Sequence, residues 1–138
     1  MIVDSSALVS AIKREPDWIE LSRAMDSAKN LSISAASYLE TSIVIDCLRS
    51  PAKSARLDEL IDELGMVIEP VTVEQAKIAR QAYRDYGKGS GHPANLNFGD
   101  CFSYALAREK REPILYKGDD FVHTDLRSAI KGEAGHTS

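Results

Sequence analysis

Asp4, Glu40 and Asp100 stand where a carboxylate is costly. Asp4 ends the apolar start Met1-Ile2-Val3, and Glu40 lies within the mostly apolar run from Ala35 to Leu48. Asp100 opens the segment Cys101-Phe102-Ser103-Tyr104-Ala105-Leu106-Ala107. No Lys or Arg adjoins any of the three. An ionised carboxylate in apolar surroundings needs a partner or a metal. Acids drawn from distant parts of a chain, with no counter-ion beside them, point to a divalent cation. A further pair, Asp119-Asp120, follows the apolar Ile114-Leu115-Tyr116. Hard oxygen donors without a partnering His or Cys suit Mg2+ or Mn2+ rather than zinc.

Each acid also has an ordinary use. Asp4 can cap a first helix. Asp100 is the third residue after Asn97, the spacing of a capping box. Asp119 and Asp120 can be turn residues after Gly118. Glu40 has no such local role, because Ile43, Val44 and Cys47 follow it at helical spacing and predict that it shares a buried face; its ordinary alternative is a salt bridge to a distant Arg. The conjunction of the acids weighs more than any one of them. His92, His123 and His136 read as surface residues rather than catalysts.

The elements that must position these acids follow from periodicity and punctuation. Residues 1–4 read as a short buried strand. Ser5 or Asp4 caps a helix through Ala7, Leu8, Ala11 and Ile12, and Pro16 opens a second through Trp18, Leu21, Ala24 and Met25. Leu31 to Ser34 is a short strand, followed by a helix from about Ala35 to Arg49. Pro51 starts a helix with Leu57, Leu60, Ile61 and Leu64 inward, and Gly65 stops it. Met66-Val67-Ile68 is a strand, and Val73 to Tyr86 a helix with Ala76, Ala79, Ala82 and Tyr83 inward. Gly87 to Pro93 is a Gly-rich loop. Phe98 to Lys110 is a helix, and Ile114 to Tyr116 a last strand. Short strands alternating with helices predict an α/β layer fold with a mainly parallel sheet. Sites in such sheets form beyond the carboxyl ends of the strands. Asp4, the Asp119-Asp120 pair and the helix starts bearing Glu40 and Asp100 would converge there.

The 138 residues suffice for one domain with a core. Hydrophobic residues make up 43% and charged residues 28%, the balance of a soluble globular chain. No apolar stretch reaches the ~20 residues of a membrane span, and the start reads as a strand rather than a secretory signal. Cys47 and Cys101 form neither a metal spacing nor a disulfide framework, so a cytosolic location is expected. The net charge of -4 argues against a basic nucleic-acid coat protein, but leaves room for a nuclease using cations and a local basic patch. Lys77, Arg80, Arg84 and Lys88 recur at helical spacing and form such a stripe for phosphate contacts, with a solvated helix face as the plain alternative. Lys117 sits beside the acidic edge. Tyr86 and Tyr104 are aromatic enough to stack on bases, although core packing is the simpler use.

Taken in order, these segments resemble a known family. Met1-Ile2-Val3-Asp4-Ser5-Ser6-Ala7-Leu8-Val9 is similar to the first motif of PIN-domain ribonucleases. Ser34-Ala35-Ala36-Ser37-Tyr38-Leu39-Glu40-Thr41 is similar to their second. Tyr83 to Gly89 and Leu96 to Ala107 match the third region, and Tyr116-Lys117-Gly118-Asp119-Asp120-Phe121 closes the set. The ordered set resembles the VapC toxins of bacterial toxin–antitoxin pairs and extends to about Ile130. The resemblance implies a PIN-like nuclease unit over 1–131 with a loose tail over 132–138. It implies metal-site acids at Asp4, Glu40, Asp100 and one of Asp119 and Asp120, with Asp120, beside Phe121, preferred. Ser6 and Asn97 are expected to support them. Two departures stand out. Lys117 and Gly118 occupy the place where many PIN domains carry the fourth acid, and Ser5 replaces a common threonine.

The chemistry implied is hydrolysis of RNA. One or two Mg2+ or Mn2+ ions would bind the scissile phosphate and acidify a water that attacks in line, with no His base required. Single-stranded or looped RNA is the implied substrate, Arg80, Arg84, Lys88 and Lys117 its phosphate contacts. A VapB-type antitoxin and a homodimeric, cytoplasmic state are implied as well. Other classes fit less well: a housekeeping PIN nuclease, an inactive PIN-like binding module, and a phosphoacceptor receiver domain. The last expects an acidic pair after the first strand, where Asp4 stands alone.

Overall fold

The apolar start of the chain becomes the inner strand of a sheet. The computed structural model describes residues 1–130, and the expected tail with His136 lies outside the described residues. In chain order the elements are β1 (Ile2–Val3), α1 (Ser5–Lys13), α2 (Trp18–Ser27), β2 (Ser32–Ser34), α3 (Ala35–Asp46) and α4 (Pro51–Leu64). They continue as β3 (Val67–Glu69), α5 (Val73–Tyr86), α6 (Phe98–Lys110) and β4 (Ile114–Leu115). The α/β reading holds: all strand pairs are parallel, in the order β3-β2-β1-β4. Every strand therefore ends on the same edge. The chain winds outward from β1 in both directions, toward β2 and toward β4. This reversal opens a crevice beside the end of β1.

Strand alternation divides the interior. Ile2 and Ile114 lie side by side and join Leu96, Tyr104, Leu106 and Phe121 in one core. Val3 and Leu115 face the other way, into a core with Leu8, Leu21, Ile33, Ile45 and Leu57. Burial of each such side chain contributes roughly 1.5–3 kcal/mol, so the two cores fix the register of these very short strands. Helix ends follow local capping chemistry. Ser50 and Thr72 cap α4 and α5, Pro51 opens α4, and Gly65 ends it in the left-handed region.

Two helix faces differ from expectation. On α3 the buried residues are Ser37, Thr41 and Ile45, whereas Ile43 is 54% exposed and Val44, Cys47 and Glu40 are exposed too. Small hydroxyl residues let α3 approach α1 and α6 closely, and Thr41 satisfies its hydroxyl on the Ser37 carbonyl at 2.8 Å. A count of apolar residues therefore selects the wrong side. On α5 the inward residues are Gln75, Ile78, Ala82 and Tyr86, while Ala76 and Tyr83 face solvent. The buried Gln75 amide donates to Glu109 at 2.9 Å, so a polar residue occupies the inward slot. The helix from Ala35 also stops at Asp46, three residues before the expected Arg49.

Candidate active site

Asp4 leaves β1 at its carboxyl end and caps α1. Its Oδ2 accepts the Ser6 N–H at 3.0 Å, and its Oδ1 accepts the Ser103 hydroxyl at 2.6 Å. The side chain is almost wholly buried. Burial raises its pKa above the ordinary carboxylate value, hydrogen bonds from Ser103 and Ser6 oppose this, and the charge of Glu40 adds to the rise. Ser6 also accepts the Lys117 backbone N–H on its Oγ at 2.9 Å, which ties the start of α1 to the loop after β4.

Asp100 sits in the first turn of α6 and completes a capping box with Asn97, each side chain accepting the other's N–H at 3.0 Å. The capping role and the site role coexist, since a carboxylate has lone pairs to spare. Its pKa is pushed up to about 8, first by burial and then by a shared hydrogen bond with Asp120. The Asn97 N–H lowers it, and the charges of Asp4 and Asp120 raise it further. Asp120 is half-buried and adjoins Asp100; Asp119 is exposed, and its backbone carbonyl accepts from Val122.

Glu40 completes the group from the second turn of α3. Its Oε1 accepts the Ser5 hydroxyl at 2.7 Å. Among the described residues no Lys or Arg pairs with Asp4, Glu40, Asp100 or Asp120, so the salt-bridge reading of Glu40 falls away. The acids are linked pairwise, Asp4 to Glu40, Asp4 to Asp100 and Asp100 to Asp120. Among the described residues no three His, Cys, Asp or Glu side chains close into a finished cation cage. The donor set nevertheless fits a hard divalent cation: all oxygens, no counter-charge, and a crowded Asp100–Asp120 pair that needs either a proton or a cation.

The basic candidates lie elsewhere. Arg80, Arg84 and Lys88 are exposed, and no ion pair engages them among the described residues. Lys117 is partly committed, its Nζ 3.5 Å from Glu15. Tyr104 is buried and its hydroxyl donates to Asp125 at 2.7 Å; Tyr86 packs against Tyr104 and His92. Both tyrosines therefore serve packing. A groove of about 720 Å³ between α5, α6 and the segment 125–127 contains none of the acids.

Four residues around the acids escape a reading of the sequence for charge: Ser5, Ser37, Gly99 and Ser103. Their signal is spacing. Ser37 precedes Glu40 by three residues and Ser103 follows Asp100 by three, one helical turn in each case.

Known proteins are similar to this chain over most of its length. The PIN domain family matches residues 1–126. Ribonuclease VapC28 of Mycobacterium tuberculosis is 54% identical over 130 residues, covering 94% of this chain and 98% of that protein. Ribonuclease VapC30 of the same organism is 43% identical over 126 residues, covering 91% and 95%. Among solved structures, Mycobacterium tuberculosis VapC20, a sarcin–ricin loop cleaving toxin, superposes with a TM-score of 0.70 at 16% identity over 91% of this chain and 95% of that one. A toxin–antitoxin complex from Klebsiella pneumoniae gives 0.68 at 14% identity, over 90% and 92%. At those identities the superpositions establish the fold, while the sequence matches establish descent. The chain belongs to the PIN-domain family and, within it, to the VapC ribonucleases.

Proposed function

We propose that this chain is the toxin of a type II toxin–antitoxin pair and an endoribonuclease. The observation that carries the reading is the meeting of Asp4, Glu40, Asp100 and Asp120, from four separate segments, at the carboxyl edge of a parallel sheet in a chain 54% identical to a VapC ribonuclease. Residues 1–131 would form the nuclease unit. The preferred cofactor is Mg2+ or Mn2+, held by Asp4, Glu40, Asp100 and Asp120. When bound, it supplies positive charge against the phosphate and lowers the pKa of a water.

The chain's own groups do the rest. Ser6 and Ser103 orient Asp4, Asn97 orients Asp100, and Ser5 orients Glu40. Asp120 is preferred over Asp119 because it adjoins Asp100. Arg80, Arg84, Lys88 and Lys117 are the candidates for guiding the phosphate chain. Exposed Leu39 and Ile43 on α3, 58% and 54% accessible, support a homodimer. A VapB-type antitoxin would inhibit by presenting a basic segment to the acidic edge. No helix among the described residues is long and apolar enough to cross a membrane, and the proposed place of action is the cytoplasm.

The test is cleavage of single-stranded RNA with Mg2+ or Mn2+. The expected result is cleavage that stops on chelation and in Asp100→Asn. No cleavage of any RNA by folded wild-type protein with either metal would refute the enzymatic reading. Expression without antitoxin should arrest growth, and Glu40→Gln should relieve the arrest. Unaffected growth alongside RNA cleavage would favour a housekeeping nuclease. Inhibition that survives removal of the antitoxin's C-terminal part would refute the basic-segment mode.

A further inference from the structure

Beneath the acids lies a pair of hydroxyls that no charge pattern reveals. Ser37 and Ser103 are 1% and 0% exposed, with their Oγ atoms 3.0 Å apart. Ser103 also donates to Asp4 Oδ1 at 2.6 Å. We propose that this pair is a positioning device for the metal site: it fixes the Asp4 carboxylate and joins the two helices that carry Glu40 and Asp100. The inference rests on the metal reading of the acids.

A hydroxyl has one proton to give. Ser103 spends its proton on Asp4, so Ser37 must donate to Ser103. The result is a directed chain, Ser37 to Ser103 to Asp4, in which each bond polarises the next. The Ser37 carbonyl is itself held by Thr41 Oγ1 at 2.8 Å. Asp4 is thereby gripped at both oxygens, Oδ2 by the N–H of its near neighbour Ser6 and Oδ1 by the distant Ser103. Its rotamer is set before any ion arrives, and each oxygen keeps a lone pair for a cation.

The placement also fixes a separation. Ser37 sits one turn before Glu40 on α3, and Ser103 one turn after Asp100 on α6. The Ser37–Ser103 bond is thus a cross-link beneath the two acid-bearing turns. Deeper in α3, Thr41 and Ser42 satisfy their hydroxyls on the carbonyl four residues earlier, a route that α3 does not offer to Ser37, whose fourth residue back is Ile33 of β2. Instead both side chains reach across the helix contact toward Asp4.

Groups that orient metal ligands typically alter metal affinity or activity by ~10–100-fold when removed. The experiment is a Mn2+ titration of the full chain without RNA, followed by melting temperature, on wild type, Ser103→Ala, Ser37→Ala and the double variant. Ser10→Ala is the control, because Ser10 Oγ is buried in the same fold and has no hydrogen-bond partner among the described residues. Ser103→Ala should need at least ~10-fold more Mn2+ for half-saturation. Ser37→Ala should move the midpoint in the same direction by less. The double variant should match Ser103→Ala, because Ser37 acts through Ser103. Ser10→Ala should leave the midpoint unchanged. Ser103→Thr, which keeps the hydroxyl, should recover most of the affinity.

An unchanged midpoint in folded Ser103→Ala overturns the proposal. If that variant does not fold, an unchanged midpoint in Ser37→Ala overturns it instead. Additive effects in the double variant would refute the directed chain. A wild-type protein that shows no Mn2+ response sinks the metal reading itself, and this inference with it. That failure is distinct from one in which wild type responds and the serine variants respond equally.

Discussion

The Glu40 carboxylate rests against the backbone of Gly99: a Cβ built on Gly99 would stand 2.5 Å from Oε2 and 2.9 Å from Oε1. The glycine next to Asp100 is therefore the floor on which Glu40 lies, and any side chain there must push it away. Gly99 is the second residue of α6, where Ala also restricts the unfolded chain more than Gly does, and Glu40 is the exposed end of a flexible side chain that can swing aside. Gly99→Ala should melt at or slightly above the wild-type temperature and yet lose at least ~10-fold in RNA cleavage, by analogy with displaced metal-site groups. A folded Gly99→Ala with full activity would show that the seat of Glu40 is irrelevant to catalysis.

The proton on Asp100 sets a pH dependence with a definite sign. Its folded pKa is about 8 against an ordinary 3.8. Between these values the folded state holds a proton that the unfolded state has lost, so stability without metal should fall as pH rises from about 4 to about 8. A cation must displace that proton, so Mn2+ affinity should climb over the same range and level off above about 8. Melting curves from pH 5 to 9, with and without Mn2+, should diverge as pH rises. Asp100→Asn should flatten the metal-free slope. Parallel curves would contradict the coupling.

Metal should bind the folded chain alone. At ~100 times its dissociation constant it would add ~2.7 kcal/mol, roughly 10 °C in a domain of this size. Asp4→Asn and Asp100→Asn should lose that shift together with cleavage. Both should stay folded without metal, because an Asn side-chain oxygen still accepts from Ser103 or from the Asn97 N–H. A full Mn2+ shift in Asp4→Asn would remove Asp4 from the site.

RNA grip should separate from catalysis. Arg84→Ala with Lys88→Ala touches no acid, so the Mn2+ shift should persist. Affinity should drop for all RNAs alike, and each lost phosphate contact should lower the salt slope by up to ~0.7. Cleavage should recover at high RNA concentration. Unchanged affinity and salt slope would reduce the stripe to a solvated face of α5, leaving Lys117 and the segment from Arg108 to Arg111 as the next candidates.

The apolar exposed face of α3 should be a contact between copies. Ile43→Glu introduces a charge at a position 54% exposed in the single chain, so it should leave melting within about 2 °C, as surface substitutions do. By light scattering it should shift the protein toward monomer. An unchanged mass distribution would assign that face to another partner.

The sequence by itself determined the order of elements and singled out the candidate acids. α4, α5 and α6 begin and end where Pro51, Gly65, Thr72 and Asn97 punctuate the chain. Such signals are local, and capping chemistry acts within one turn. The acids were legible for a related reason: a charge within an apolar segment is visible without coordinates. The faces of α3 and α5 were decided only by tertiary contact. Ser37 and Gln75 occupy inward positions because partners across the fold satisfy their polar atoms, and Thr41 because its own helix satisfies its hydroxyl, whereas Ile43 and Tyr83 point outward. Hydrophobicity cannot anticipate hydrogen bonds between residues 34 or 66 positions apart. The same holds for the contact of Asp120 with Asp100 and for the seat of Glu40 on Gly99. Both depend on where β4 and α6 settle against β1, and that placement follows from two cores assembled from the whole length of the chain.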